Sequence, residues 1–171
     1  KTTAFDDGTI LTITSDGTID ITNPDNSRVI IYPSGTEVSV SKEGIETIRK
    51  ADNTFITIRG TTASLIRPDG NTLLGFTTFT VDGGKTIDFS DDTRIIISAD
   101  GTMTTISADQ TETMETADGT IITKRPNGHV TIDDSDGTII DVSSIGSVVK
   151  TFPTIVLSPT DIIKSKITSP P

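Results

Sequence analysis

The chain contains 171 residues, of which 32% are hydrophobic and 4% aromatic, and its formal net charge at pH 7 is −10. This acidic balance argues against binding to nucleic-acid phosphates or to an anionic membrane surface, because both need clustered lysines and arginines. Cysteine is absent, so neither a disulfide framework nor a thiolate metal site can form. No apolar run approaches the roughly 20 residues of a membrane-spanning helix, and Lys1 as first residue indicates a processed chain or a fragment.

A nine-residue unit repeats along almost the whole chain, beginning with 9–17, Thr-Ile-Leu-Thr-Ile-Thr-Ser-Asp-Gly. The last position of the unit recurs at 8, 17, 26, 35, 44 and 53 and, after one break, at 83, 92, 101, 110, 119, 128, 137 and 146. Of these fourteen positions ten are Gly; Asp precedes ten of them and Thr follows nine. Such a short, fixed period predicts a repeat architecture.

Segments rich in Ile, Val and Thr lie between the turn pairs, and these residue types favour strands. In the first array the predicted strands are 9–15, 18–24, 27–33, 36–42, 45–51 and 54–60. Asp-Gly and Asp-Asn pairs are typical of two-residue type I′ hairpin turns. A strand of seven residues and a turn of two make nine, which predicts an up-and-down antiparallel meander.

The period is interrupted over 61–82, which we interpret as an irregular joint between two halves of one sheet. Gly75 lies inside an apolar stretch there, and a glycine within a strand often marks a bulge or a bend. A plain surface irregularity is an equally open alternative. The segments are therefore a first array at 1–60, the joint at 61–82, a second array at 83–153 and a tail at 154–171.

The second array repeats the pattern of the first, with predicted strands at 84–90, 93–99, 102–108, 111–117, 120–126, 129–135, 138–144 and 147–153. The tail loses the period, and its prolines at 159, 170 and 171 interrupt regular pairing. We expect it to be an extended arm that packs on a neighbouring surface or a linker to a further domain.

Neither face of the predicted sheet is cleanly apolar, whereas a sandwich or a barrel would bury one apolar face. We therefore predict an all-β fold in which the meander forms an elongated single-layer sheet, solvated on both sides. The alternative is a narrow β-solenoid with the Asp-Gly pairs at its corners.

The turn units resemble those of the C-terminal T-complex-protein domain, the G-box of the centriolar scaffold CPAP. The matching units are 15–18 (Ser-Asp-Gly-Thr), 24–27 (Pro-Asp-Asn-Ser), 33–36 (Pro-Ser-Gly-Thr), 68–71 (Pro-Asp-Gly-Asn), 117–120 (Ala-Asp-Gly-Thr), 126–129 (Pro-Asn-Gly-His) and 135–138 (Ser-Asp-Gly-Thr). The resemblance implies a freestanding antiparallel sheet and a scaffold role at centrioles or cilia. It also implies a sheet face that binds a proline-rich peptide, and sheet ends that stack into fibrils.

Residues suited to catalysis or metal binding are scarce. His129 is the only histidine and is predicted to be a surface strand residue, because a catalytic base or a metal ligand needs convergent partners. A calcium-binding β-roll also uses nonapeptides, but its Gly-Gly doublet occurs here only at Gly83-Gly84. We predict no catalytic residue, no metal site and no cofactor, and keep the β-roll as an alternative.

Aromatic residues are rare, so their placement guides the search for a binding surface. We group Tyr32, Phe55 and Phe89 on one face, with Arg59 near Phe55, as candidate anchors for a partner peptide. The alternative is that these rings only cover neighbouring aliphatic residues by cross-strand packing.

The sequence as a whole predicts a structural protein rather than an enzyme. We expect a scaffold that associates with itself, through sheet edges or the tail, or that binds a proline-rich peptide of a partner in a centriolar or ciliary, cytoskeletal setting. The alternative is a subunit of an extracellular fibre or surface filament that polymerises by donating its tail as a strand.

Overall fold

A computed structural model describes residues 1–153 as one antiparallel sheet of seventeen strands. The strands are β1 Thr2–Ala4, β2 Ile10–Ile13, β3 Ile19–Thr22, β4 Arg28–Ile31, β5 Glu37–Val40, β6 Glu46–Arg49, β7 Phe55–Arg59, β8 Thr62–Ile66, β9 Thr72–Phe79, β10 Lys85–Phe89, β11 Arg94–Ile97, β12 Met103–Ile106, β13 Glu112–Glu115, β14 Ile121–Lys124, β15 Val130–Asp133, β16 Ile139–Val142 and β17 Val148–Thr151. The part described contains no helix that could span a membrane. The predicted tail at 154–171 lies outside the described residues.

Each strand pairs with the next strand along the chain, from β1 with β2 to β16 with β17. The predicted meander is therefore confirmed. Antiparallel pairing throughout the described residues differs from the parallel winding of a solenoid or a β-roll. The division into four segments stays a prediction, although the ladder of paired strands runs without interruption through 61–82.

The turns are three-residue loops, so the predicted two-residue type I′ turns are wrong. In the first unit the Thr14 amide donates to the Thr18 carbonyl at 3.0 Å, and the Gly17 amide donates to the Thr14 carbonyl at 3.2 Å. Only Gly17 has a positive φ, 91°, which defines a type I turn followed by a left-handed residue. The same two bonds recur in fifteen of the sixteen connections. Nine residues thus divide into six paired residues and a loop of three.

The aspartate before each turn glycine acts locally. The Asp16 carboxylate accepts the Thr18 amide at 3.2 Å, and the corresponding bond from Thr138 to Asp136 is 2.7 Å. Hydrogen bonds, first of all from the Thr14 hydroxyl and then from the Thr18 amide, hold the pKa of Asp16 below its usual value. The recurring Asp-Gly-Thr triplet is therefore explained by a side chain that closes its own turn.

The connection between β7 and β8 is the exception, and it changes which residues face inward. Arg59 lies opposite Thr62 across the two-residue loop Gly60-Thr61, and only Gly60 has a positive φ, 59°, as in a type II′ turn. Everywhere else, opposed residues are both even or both odd. One face therefore carries even-numbered residues before Gly60 and odd-numbered residues after it; we call it the concave face and the other the convex face.

The sheet is open and curls like a half-barrel, so that its concave face encloses a hydrophobic core. Strands β6–β8 supply one side of this core and β10–β12 the other. Its members are Ile48, Ile56, Ile58, Ala63, Leu65, Ile87, Phe89, Ile95, Ile97 and Met103. A single sheet was predicted correctly, but solvation of both faces was not, because the curl buries the middle of one face.

Gly75 lies in β9, at the centre of the curl. Its backbone is paired in register with Ala63 on one side and Phe89 on the other, so of the two alternatives, a bulge or a bend, the bulge is excluded. A Cβ atom at this position would lie 2.7 Å from both the Asp88 carbonyl oxygen and the Phe89 ring. Glycine is therefore needed here for close approach to β10 rather than for a bulge.

Two largely buried ion pairs join the halves of the sheet across the concave face. Lys50 Nζ lies 2.8 Å from Glu115, whose other carboxylate oxygen accepts the Thr36 hydroxyl at 2.6 Å. Lys85 binds Glu46 in the same way, between β10 and β6. These contacts link residues far apart in the chain and stabilise the curl.

Candidate partner-binding surface

The four residues predicted as peptide anchors do not share one face. Phe89 is 5% exposed and belongs to the core. Tyr32 is half-buried on the concave face, with its ring against Gly101, and burial is the main reason why its pKa is raised. Phe55 and Arg59 lie on the convex face, both exposed. The grouping of all four is therefore wrong, and only Phe55 and Arg59 remain together.

An apolar surface, the convex patch, runs diagonally across three strands from Phe55 to Phe76. It consists of Phe55 on β7, Ile66 on β8, and Leu74 and Phe76 on β9, which are 37%, 43%, 70% and 73% exposed. Phe55 lies directly opposite Ile66 in the ladder. Ile66 lies opposite Thr72 on β9. Leu74 comes two residues after Thr72 and is therefore diagonal to Ile66. Large side chains exposed together on one face make the convex patch a candidate interaction surface.

Charged side chains border the convex patch. Arg59 opposes Thr62, which in turn opposes Phe76, so these three residues form a row across β7, β8 and β9. On the other side of Phe76 lies Asp88, which accepts a 2.5 Å hydrogen bond from Arg94. Within residues 1–153 Arg59 forms no such ion pair, so its guanidinium is available to a ligand.

Leu74 and Phe76 were missed from the sequence, where their stretch was assigned to an irregular joint. Alternation was the available signal: Leu74 and Phe76 flank Gly75, so the two large residues share a face and the small one opposes them. The length of β9, eight residues, places both side chains well inside a strand. Their strand is paired on both sides, which holds them in a fixed orientation.

The concave cleft beside the core is less suited to a ligand. A cavity of about 310 Å³ opens there between apolar Ile56, Leu65 and Ile95 and a wall of threonine and serine hydroxyls. Its two cations are already neutralised: Lys50 lies 2.8 Å from Glu115, and Arg67 lies 2.8 Å from Asp91. A charged ligand would have to displace one of these partners.

His129 takes part in a local cluster formed by the connection between β14 and β15 together with β15 and β16. Arg125 Nη1 lies 2.6 Å from His129 Nδ1, and Nε2 lies 3.8 Å from Asp141. Because a guanidinium can only donate, the ring accepts at Nδ1 and carries its proton on Nε2. Thr131 completes the cluster by donating to Asp141 at 2.9 Å. Among residues 1–153, no group of three or more His, Asp or Glu side chains is arranged to hold a metal ion.

No protein-family model and no curated protein matches the chain. Among solved structures, it is similar to the TCP10 domain of Danio rerio CPAP in complex with a STIL peptide, at 23% identity over 86% of this chain and 90% of that one, with a TM-score of 0.37. It is also similar to the Drosophila melanogaster SAS-4 TCP domain in complex with a proline-rich motif of Ana2, at 19% identity over 80% and 90% of the chains, with a TM-score of 0.44. The predicted resemblance to the T-complex-protein domain is confirmed. At these identities and TM-scores the likeness concerns the antiparallel sheet, and conclusions about binding require this chain's own residues.

Proposed function

We propose that this protein is a non-enzymatic scaffold that binds a proline-rich peptide of a partner protein on the convex patch. The observation that carries the proposal is the exposure of Leu74 and Phe76 on the same face of a paired strand, with Arg59 in the same cross-strand row as Phe76. Burying a Leu or Phe side chain stabilises a complex by roughly 1.5–3 kcal/mol before the entropic costs of binding. Two such side chains would together contribute roughly 3–6 kcal/mol before those costs, so further contacts such as one to Arg59 are part of the proposal.

The position of the patch on a sheet face favours a polyproline II peptide over an added strand. Strands β7, β8 and β9 are paired on both sides, so their backbone groups have no free hydrogen bonds to offer. A ligand must therefore be recognised through side chains. A proline-rich peptide suits this requirement, because proline lacks an amide hydrogen and the polyproline II helix needs no backbone partners. Proline rings pack against aromatic side chains, and Arg59 can bind a peptide carbonyl or carboxylate.

The cellular setting is part of the proposal. The two solved neighbours described above are domains captured with a STIL peptide and with a proline-rich motif of Ana2. For this chain we propose the same class of ligand and a centriolar or ciliary, cytoskeletal location. The rival proposal, an extracellular fibre subunit that donates its tail, depends on 154–171, outside the described residues.

Equilibrium binding tests the proposal. Fluorescence anisotropy compares a labelled proline-rich peptide with the same peptide in which every proline is replaced by alanine. We expect the full chain to bind only the first, and Phe76→Ala to weaken binding at least tenfold, which corresponds to about 1.4 kcal/mol. Arg59→Ala should weaken it as well. Val81→Ala is the matched control, because Val81 is fully exposed in the next turn but outside the patch.

Two results would overturn the proposal. One is equal affinity for the two peptides, which would remove the role of proline. The other is unchanged affinity in Phe76→Ala and Arg59→Ala while circular dichroism shows an intact sheet, which would place binding elsewhere. Because both side chains are exposed, the variants are expected to fold like the parent chain.

A further inference from the structure

Strand β17 forms a free edge at the end of the described sheet. All four of its residues are exposed, including Val148 at 63% and Val149 at 60%. Ile145 and Phe152, which flank the strand, are exposed as well. An edge strand with unpaired backbone groups and apolar side chains is a template for pairing with another strand.

The hydrogen-bond pattern fixes which groups point outward from this edge. The Ser143 amide donates to the Ser147 carbonyl at 2.8 Å, so these two residues are a hydrogen-bonded pair. Bonded and non-bonded pairs alternate along an antiparallel ladder, so Val149 bonds to β16 and Val148 does not. The amide and carbonyl groups of Val148 and Lys150 therefore face the free side of β17.

The directions of the two edge strands, β1 and β17, decide which edge of a second copy can pair with β17 in an antiparallel ladder. Strands alternate in direction, and seventeen is odd, so β1 and β17 run the same way. If a second copy is placed by translation alone, its β1 lies parallel to β17 of the first copy. Antiparallel pairing of these two edges would require the second copy to be turned over, so that its convex face continues the concave face of the first copy. Pairing of β17 with β17 through a two-fold axis perpendicular to the sheet is antiparallel and keeps each face continuous.

We infer that β17 pairs with β17 of a second copy of this chain, forming an antiparallel two-fold dimer centred on Val149. In this register Val148 of each copy opposes Lys150 of the other and exchanges two hydrogen bonds with it, four in all. Val149 meets Val149 in the central non-bonded pair, where side chains approach most closely. The two lysines are not opposed, so the register avoids like charges facing each other directly.

Strand β1 offers a poorer edge for the same arrangement. It has three residues instead of four, and its sequence is Thr-Thr-Ala. A two-fold pairing of β1 would centre on Thr3, which contributes less apolar surface than Val149. The dimer goes beyond the proposed peptide binding, because β17 is separate from the strands of the convex patch. Both patches would face the same side of the dimer, which would give two-site ligands a gain in avidity.

A disulfide trap tests the register, because the chain has no cysteine of its own. Opposed Cα atoms in a non-bonded antiparallel pair lie about 4.5 Å apart, within the range of a disulfide. We expect Val149→Cys in the full chain to give a covalent dimer under mild oxidation. Val148→Cys, its matched control, should give at least tenfold less, because Val148 opposes Lys150.

Sedimentation equilibrium of the full chain tests the dimer itself. Val148→Pro should raise the dissociation constant at least tenfold, because proline removes an outward amide while Val148 makes no ladder bond to β16. Ala4→Pro is the control on the opposite edge: Phe5 bonds to Thr9, so Ala4 also faces outward, and the dimer should persist.

Three results would overturn the inference: a monomer at every concentration, filaments that Ala4→Pro also disrupts, or equal disulfide formation by Val148→Cys and Val149→Cys. Peptide binding by the convex patch is measured separately, so either proposal can fail while the other holds.

Discussion

Replacing Ile56 by alanine tests the curl of the sheet. Ile56 is fully buried on the concave face, between the two halves. The change removes three carbon atoms, worth about 2.4 kcal/mol at 0.8 kcal/mol per buried methylene, and the residual cavity adds to this. We expect a loss of about 3–4 kcal/mol in the free energy of unfolding. For a chain of this size, that corresponds to a decrease in melting temperature of roughly 6–16 °C.

Ile139→Ala is the matched control. Ile139 also points to the concave face, on β16, but it is 37% exposed and lies outside the central core. Its loss should be about 1 kcal/mol, since solvent can occupy the space of the removed atoms. Urea unfolding followed by circular dichroism measures both. Losses that agree within about 0.5 kcal/mol would refute the curl and indicate a flat sheet without a central core.

Two further predictions concern charges. Lys50→Met leaves Glu115 largely buried without its cation and should reduce the free energy of unfolding, measured by urea titration, by about 3 kcal/mol. Lys42→Met removes a cation from an exposed ion pair and should change the free energy of unfolding by less than about 0.5 kcal/mol. Equal effects of the two substitutions would contradict a role of the Lys50–Glu115 pair in closing the sheet. Hydrogen bonds, first of all from a threonine hydroxyl, hold the folded-state pKa values of turn aspartates such as Asp16 and Asp118 below the usual value of an aspartate. The stabilisation of the folded state by these carboxylates is therefore present above about pH 4 and is lost as the pH falls through their folded-state pKa values. Melting temperatures at pH 5 and pH 3 should show this loss, and Asp16→Asn with Asp118→Asn should reduce it; an unchanged pH dependence would contradict the assignment.

The meander could be predicted from the sequence, because the nine-residue spacing and the Asp-Gly-Thr triplets recur independently of tertiary contacts. The division of the unit into strand and loop could not be predicted, because seven strand residues with a two-residue loop and six strand residues with a three-residue loop both give nine. Positive φ at Gly17 alone, rather than at Asp16 as well, selects the second division. Only the backbone conformation carries this information, because Asp-Gly is compatible with both turn types.

The facing of the aromatic side chains could not be predicted from the sequence, because it depends on one turn. Gly60-Thr61 is a residue shorter than the other loops, and it exchanges odd and even positions between the faces. Tyr32 and Phe89 consequently share the concave side, while Phe55 joins the later even-numbered residues on the convex side. An error of one residue in the predicted length of one loop assigns every aromatic side chain that follows this loop in the chain to the wrong face of the sheet.

The nine-residue unit also determines how such a sheet can lengthen during evolution. With three residues in the loop and six in the paired strand, opposed residues are always both even-numbered or both odd-numbered. A tandem duplication of nine codons therefore adds one strand and leaves the side chains of all other strands on their original faces. The new terminal strand, however, runs in the opposite direction. A sheet with an even number of strands has ends that pair antiparallel by simple translation, which builds an open fibre instead of a closed pair. Under the pairing proposed for β17, gain or loss of a single repeat would therefore convert a dimer-forming sheet into a polymer-forming one.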